Sequence, residues 1–282
     1  MEKNMFRISK TLNHNAVLAI SDEKKECLIL DKGIGFGRKV SEYIEISGQA
    51  AVYSLQETTE RGEAGQLARS LDPFILEMAD FLLDRAEESF GKIDRNILFP
   101  LADHMEYAIK RIQNGEEISN PLTADIQVLF HMEYKVAEQI VPILKKEKGI
   151  VIHEDELGYI ALHIHSAIED ARVSEAMQVA QAVRDCIELL ENETGHRISV
   201  MSLSYNRLMN HIRYMVARAI TGEKLKVNMN DYMSVKFPQS FQIAKTVCGQ
   251  IAHNLKCEID EVEIGYLAMH VERTAEEEQG KP

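Results

Sequence analysis

The sequence predicts a small all-β N-terminal unit followed by two homologous all-α helical bundles. Three observations predict it. Short runs with strand character stop near residue 56, the apolar spacing changes to the helical period from about Leu67, and the chain matches itself without gaps at a single offset of 107 residues. A length of 282 residues with 45% hydrophobic content is ample for packed cores.

The β unit comes first. Met5 to Ser9, Ala16 to Ile20, Cys27 to Leu30, Tyr43 to Ile46 and Ala51 to Leu55 are rich in β-branched, aromatic and aliphatic residues. Turn signals separate them: Asn13-His14-Asn15, Ser21-Asp22 and the glycine cluster Gly33-Ile34-Gly35-Phe36-Gly37. The polar, glycine-containing stretch 57–65 suits a linker. Beyond it Phe74, Ile75, Met78, Phe81 and Leu82, and then Leu101, Met105, Ala108, Ile109 and Ile112, recur at helical spacing.

The helical body is a repeat. The offset of 107 aligns Leu101 with Leu208, His104 with His211, Tyr107 with Tyr214, Arg111 with Arg218, and Gly115 with Gly222. It also aligns Phe130 with Phe237, Ala137 with Ala244, and Gly158-Tyr-Ile-Ala-Leu-His163 with Gly265-Tyr-Leu-Ala-Met-His270. Shared composition would not hold register over some 60 residues, so two copies of one domain are expected, at about 66–172 and 173–275. The segment 276–282 is expected to be a disordered tail.

Charge and cysteine content narrow the function classes. With 45 Asp and Glu against 32 Lys and Arg, the net charge is -13, which argues against nucleic-acid binding if the charge is evenly spread. It is not evenly spread: residues 1–56 hold eight Lys and Arg and seven Asp and Glu, a net of +1, leaving -14 for the remaining 226 residues. No apolar run approaches the roughly 20 residues that a membrane helix needs, and MEKNMFRISK lacks the apolar core of a secretory signal, so a soluble cytoplasmic protein without membrane insertion is expected. Four cysteines at irregular spacings, Cys27, Cys186, Cys248 and Cys257, fit neither a metal knuckle nor a disulfide framework. No cofactor motif is present: Gly33-x-Gly35-x-Gly37 has the wrong spacing for a dinucleotide loop, and a strand-to-strand turn explains it.

Of ten histidines, four fall on repeated positions, His104 with His211 and His163 with His270. On a helical wheel His104 lies about 60° to one side of the Leu101/Met105/Ala108/Ile112 stripe. His163 lies about 120° from the stripe of Leu157, Ile160, Ala161, Ile164 and Ile168. Both are expected beside the buried stripe, within reach of a partner. A single histidine in such a place is usually a structural hydrogen-bonding residue, but recurrence at two positions in two copies favours function. Metal chelation by His163-x-His165 is excluded on a helix, where i and i+2 stand about 200° apart; His165 is also replaced by Glu272 in the second copy. The obvious repeated carboxylates beside them are Glu154 and Glu156, matched by Glu261 and Glu263. A reachable imidazole without a catalytic base suits phosphorylation instead. The phosphoryl group brings nearly two negative charges to a helix or subunit interface, enough to shift an equilibrium between two packings.

At this point a family resemblance emerges. Lys10-Thr-Leu-Asn13-His-Asn15-Ala-Val and Asp31-Lys-Gly33-Ile-Gly-Phe36-Gly-Arg38-Lys39 resemble the co-antiterminator RNA-binding domain of the BglG/SacY transcriptional antiterminators. The two copies with their His104/His163 and His211/His270 pairs are similar to the two PTS regulation domains that follow it, and Gly-Ile-Gly-Phe-Gly is similar to the glucose-type branch. The resemblance spans essentially the whole chain in the right domain order.

It implies a homodimer whose β domains bind an antiterminator hairpin in a leader mRNA and so prevent a terminator from forming. The implied RNA contacts are Lys10, Asn13, Asn15, Gly33, Phe36 and Arg38. Asparagine can donate to and accept from base edges, Phe36 can stack on a base, and Lys10 and Arg38 can meet phosphates. The resemblance further implies phosphorylation of His104 and His163 by a sugar-specific enzyme II, disfavouring the active dimer, and of His211 and His270 by the phosphocarrier HPr. No catalysis is implied. The alternatives are a DNA-binding activator with the same regulation domains, for which no helix-turn-helix pattern precedes the repeat, and a histidine phosphoryl-transfer enzyme, for which no activating base is found.

Overall fold

The computed structural model describes residues 5–279 except 47, 49, 57, 60, 61, 170, 171, 196, 200 and 201. Its first element is an antiparallel sheet of β1 (Met5–Thr11), β2 (Ala16–Ser21), β3 (Glu26–Leu30), β4 (Tyr43–Glu45) and β5 (Ala51–Ser54), in the order β4-β1-β2-β3-β5. The register of β1 against β2 slips between Ile8 and Lys10, a bulge at the edge of the Asn13–Asn15 turn. One face packs Phe6, Ile8, Val17, Ala19, Cys27, Ile29 and Ile44 into a core of its own. On the other face Leu18 pairs with Leu28 and Leu28 with Tyr53, and these too are buried. Burial on both faces explains why β2 and β3 are continuous apolar runs, Ala-Val-Leu-Ala-Ile and Cys-Leu-Ile-Leu, where a half-exposed sheet would alternate.

Two short strands, Thr58–Thr59 and Gly62–Glu63, pair within the stretch expected as linker, whose residues 57, 60 and 61 lie outside the described residues. α1 (Ala64–Ser70) follows at once. α2 (Pro73–Phe90) begins where the Asp72 side chain accepts from the Phe74 N–H, with proline at the first helical position, where it forfeits no helical hydrogen bond. α3 (Leu98–Gln113) is led by a 3₁₀ turn over Arg95–Ile97, capped by Asp94. It buries Leu101, Met105 and Ala108 of the expected stripe and Ile109 beside them, while Ile112 is half-buried. Then come α4 (Thr123–Leu129), α5 (His131–Ala137), α6 (Val141–Lys148) and α7 (Glu154–Glu169).

The second copy comprises α8 (Val173–Thr194), α9 (Leu203–Thr221), α10 (Asn230–Lys236), α11 (Pro238–Leu255) and α12 (Val262–Gln279). α9 starts on a Ser202 cap and stops at Gly222 in the left-handed region at φ 74°, a conformation glycine adopts without penalty. α12 runs to Gln279, into the expected tail, of which 280–282 lie outside the described residues.

The chain divides into two compact units, 1–120 with 130–173 and 121–129 with 174–282. The first unit joins the sheet to the first helical copy: Tyr53 of β5 faces Phe99 of α3 with ring centroids 6.3 Å apart. In the second unit the α4 segment is held by Arg184 of α8, which donates to Pro121 O at 2.7 Å and to Asp125 Oδ2 at 3.1 Å. The segment expected to close the first copy's middle therefore packs with the second unit, because its polar partners are there.

Candidate functional site

The sheet's turns build one continuous surface. Asn13 Oδ1 accepts from the Asn15 N–H at 2.8 Å, which folds 13–15 into a side-chain-closed turn. The glycine loop docks onto it: Gly33 N–H donates to Asn15 Oδ1 at 2.9 Å and Gly35 N–H to His14 O at 2.9 Å. A Cβ on Gly35 would stand 2.1 Å from Asn13 O, so only glycine allows this approach. Phe36 is 68% exposed and meets His14 edge-on with ring centroids 5.2 Å apart. Asn13, Asn15, Gly33 and Phe36 are thus gathered into one patch. Arg38 follows in the same loop, exposed and 3.8 Å from Glu42 Oε2. Lys10 is exposed on β1 just beyond the bulge.

One N–H of each asparagine amide is already engaged. Asn13 Nδ2 donates to Glu77 Oε1 at 2.6 Å and Asn15 Nδ2 to Glu77 Oε2 at 3.0 Å, so one carboxylate of α2 holds both. Beside it the Tyr53 hydroxyl donates to Asp80, and Arg95 donates to that hydroxyl at 2.9 Å, to Asp80 at 2.6 Å and to Glu87 at 2.5 Å. Burial and the Asp80 charge push the Tyr53 phenol up, so it remains a donor at any physiological pH.

The four repeated histidines form two pairs. His104 of α3 and His163 of α7 have ring centroids 5.3 Å apart; His211 of α9 and His270 of α12 stack at 4.7 Å. Tyr159 and its counterpart Tyr266 flank each first histidine at 5.6 and 6.4 Å. Below each pair lies a buried ion pair. Arg111 donates to both oxygens of Glu156, at 2.6 and 2.9 Å, and Arg218 to both oxygens of Glu263, at 2.6 and 2.9 Å. His104 Nε2 lies 3.4 Å from Glu156 Oε2 and His211 Nε2 3.8 Å from Glu263 Oε2, close enough for charge coupling but not aligned as hydrogen bonds. Burial alone would raise the Glu156 carboxyl; His104 and Arg111 outweigh it and hold it below the usual range. In the second copy, burial, then the His270 and Arg218 charges, push His211 down to about 3. Burial, then Arg273 and Arg207, lower His270.

One expectation needs correcting. His104 and His163, placed by the helical wheel beside the stripe and open to a partner, are each only 7% exposed, and the His211 side chain is as buried as that of His104, with His270 half-buried. A wheel treats one helix at a time; here the two rings project from neighbouring helices and cover each other. A cleft lined by Pro100, His104, Arg111, Tyr159 and His163 still leads to the first pair. Sequence reasoning also missed the partners. Glu77 carries no signal of its own, while Arg111/Arg218 and Glu156/Glu263 recur at the same offset of 107 but only the fold pairs them. Among the described residues no group of three His, Cys, Asp or Glu side chains could hold a metal ion, and no helix is long and apolar enough to cross a membrane.

Comparison with known proteins agrees with this division of labour. The CAT RNA binding domain family matches residues 6–62, and the PRD domain family matches twice, at 80–167 and 182–274, each match holding one histidine pair. The chain belongs to the BglG/SacY family of antiterminators. Members of that family couple an RNA-binding domain to PTS regulation domains and are regulators, not enzymes. Protein GlcT of Staphylococcus epidermidis is 28% identical over 271 residues, 94% of this chain and 95% of that protein. The PtsGHI operon antiterminator of Bacillus subtilis is 29% identical over 271 residues, 95% of this chain and 96% of that protein. These relatives are of the glucose type, the branch to which the Gly-Ile-Gly-Phe-Gly segment is similar. A solved structure, the crystal structure of GlcT CAT-PRDI, is 30% identical with a TM-score of 0.49, covering 58% of this chain and 99% of that chain.

Proposed function

We propose that this antiterminator binds a hairpin in a leader mRNA as a homodimer, through Lys10, Asn13, Asn15, Gly33, Phe36 and Arg38. Its activity is set by phosphorylation of two histidine pairs, His104/His163 by a sugar-specific enzyme II and His211/His270 by HPr. One observation carries the regulatory reading: a His–His ring contact beside the same Arg–Glu ion pair occurs twice, in matched positions of two copies, tilted in the first and stacked in the second. A dianionic phosphoryl group on either ring enters a site whose buried carboxylate repels it and whose arginine attracts it, so the α3–α7 or α9–α12 contact must rearrange. Transport of the sugar drains phosphate from the first pair and restores the active dimer. The expected outcome for the His104→Ala/His163→Ala double variant is antitermination of a reporter without the sugar; retained sugar dependence overturns the assignment. For the RNA surface, the dephosphorylated full chain shifts a leader hairpin in a native gel, and Phe36→Ala weakens the shift; an unaltered shift removes Phe36 from the interface.

A further inference from the structure

The two histidine pairs differ in the charges around them. At the offset of 107, Pro100 is matched by Arg207, Ser166 by Arg273, and Asp103 by Asn210. Pro100 lines the cleft that leads to His104 and His163, and its counterpart Arg207 lies near enough to the second pair for its charge to act on His270. Arg207 precedes His211 by four residues on α9, and Arg273 follows His270 by three on α12, the spacings that put side chains on one helical face. Both arginines are exposed, and among the described residues neither has a carboxylate partner. Their positive charge reaches the His270 ring and helps to keep it unprotonated. In the first pair the corresponding groups are a pyrrolidine, a hydroxyl committed to Leu162 O at 2.9 Å, and an aspartate.

We propose that Arg207 and Arg273 make the second histidine pair a phosphoryl-retaining site, their guanidiniums binding the oxygens of a phosphoryl group on His211 or His270, whereas the first pair gives its phosphoryl group up readily. This rests on the phosphohistidine reading above. Guanidinium and phosphoryl oxygens form charge-assisted, often bidentate hydrogen bonds, the arrangement for which arginine is better suited than lysine. The asymmetry makes the first pair a fast-resetting sensor and the second a stable memory of donor supply.

The test uses phosphoramidate, a small donor that needs no protein recognition, with ammonium at a fixed ratio so that transfer is a reversible exchange of one N–P bond for another. An imidazole nitrogen lone pair attacks phosphorus, and the donor's P–N bond breaks. Ammonia leaves with that electron pair, and the ring's other nitrogen releases its proton to water. Phosphate occupancy of each pair in the full chain is read by mass spectrometry of peptides at neutral to mildly alkaline pH. The ratio of phosphorylated to free ring is expected to be at least about tenfold higher in the second pair, the worth of one charge-assisted hydrogen bond. Arg207→Ala/Arg273→Ala brings it down to the level of the first pair, with Arg207→Lys/Arg273→Lys between, and Pro100→Arg/Ser166→Arg raises the first. Equal occupancy in both pairs, or occupancy of the second unchanged by the alanine variant, overturns the proposal while leaving phosphohistidine in place. No phosphate on any of the four rings overturns both. Circular dichroism distinguishes lost retention from lost fold, and substitutions at exposed arginines leave the helices formed.

Discussion

At the residue scale, Glu77 and His211 each have a measurable consequence. Asn13 and Asn15 each commit one of their two amide N–H groups to Glu77, so a base that takes both N–H groups of either amide must displace that carboxylate. Glu77→Ala is predicted to tighten hairpin binding by about tenfold, the worth of one charge-assisted hydrogen bond no longer in competition. Titration in a gel-shift assay checks it, and equal or weaker binding would sink the idea that α2 competes with RNA. His211 makes stability depend on acid. The folded chain holds this ring neutral down to about pH 3, whereas the unfolded ring takes a proton near its ordinary 6.5. Between those values the unfolded state binds more protons, so stability falls as pH falls. At pH 5 the loss from this one group is about 2 kcal/mol. Urea unfolding at pH 7 and pH 5 should show a smaller acid loss in His211→Gln than in the unsubstituted chain; the same loss in both would refute it.

At the element scale, the histidine pairs depend on how α3 is held to α7 and α9 to α12. Arg111 and Glu156 are a buried bidentate pair across α3 and α7, with side chains 16% and 3% exposed. Removing one partner strands the other charge, so Arg111→Ala should cost about 3–5 kcal/mol. Its exposed neighbour Lys110, salt-bridged to Glu106 on the surface, should cost under about 1 kcal/mol when replaced by alanine. Denaturant midpoints of the two variants compare them directly, and similar midpoints would contradict the packing described. Legibility follows the same divide. Strand positions, the α3 stripe and the repeat were readable because period and offset are properties of the chain alone. The burial of His104 and His163, the Arg–Glu clasp beneath them and the grip of Glu77 on the asparagines were not. Each is a contact between elements distant in sequence, and a helical wheel contains no neighbour. The same limit applies to α4, whose affiliation is decided by Arg184 some sixty residues on.

At the scale of the whole molecule, a net charge of -13 conceals a near-neutral sheet attached to an acidic helical body. With Lys10 and Arg38 as the phosphate contacts of each protomer, a dimer makes about four, and the salt dependence of log affinity should have a slope of about -3. Lys10→Ala should flatten it by about 1.5; a slope near -8 would mean that cations elsewhere on the chain carry the RNA. The junction of sheet and helical copy offers one more consequence, an optical one. The chain has no tryptophan and nine tyrosines, so its ultraviolet emission belongs to phenols alone. Tyr53, buried at 4% exposure with its hydroxyl committed to the Asp80 carboxylate, sits in the setting that darkens phenol emission. Any event that lifts the sheet from α2 releases that hydroxyl and brightens the molecule, so the native chain carries its own unlabelled lamp for the movement of its RNA-binding end.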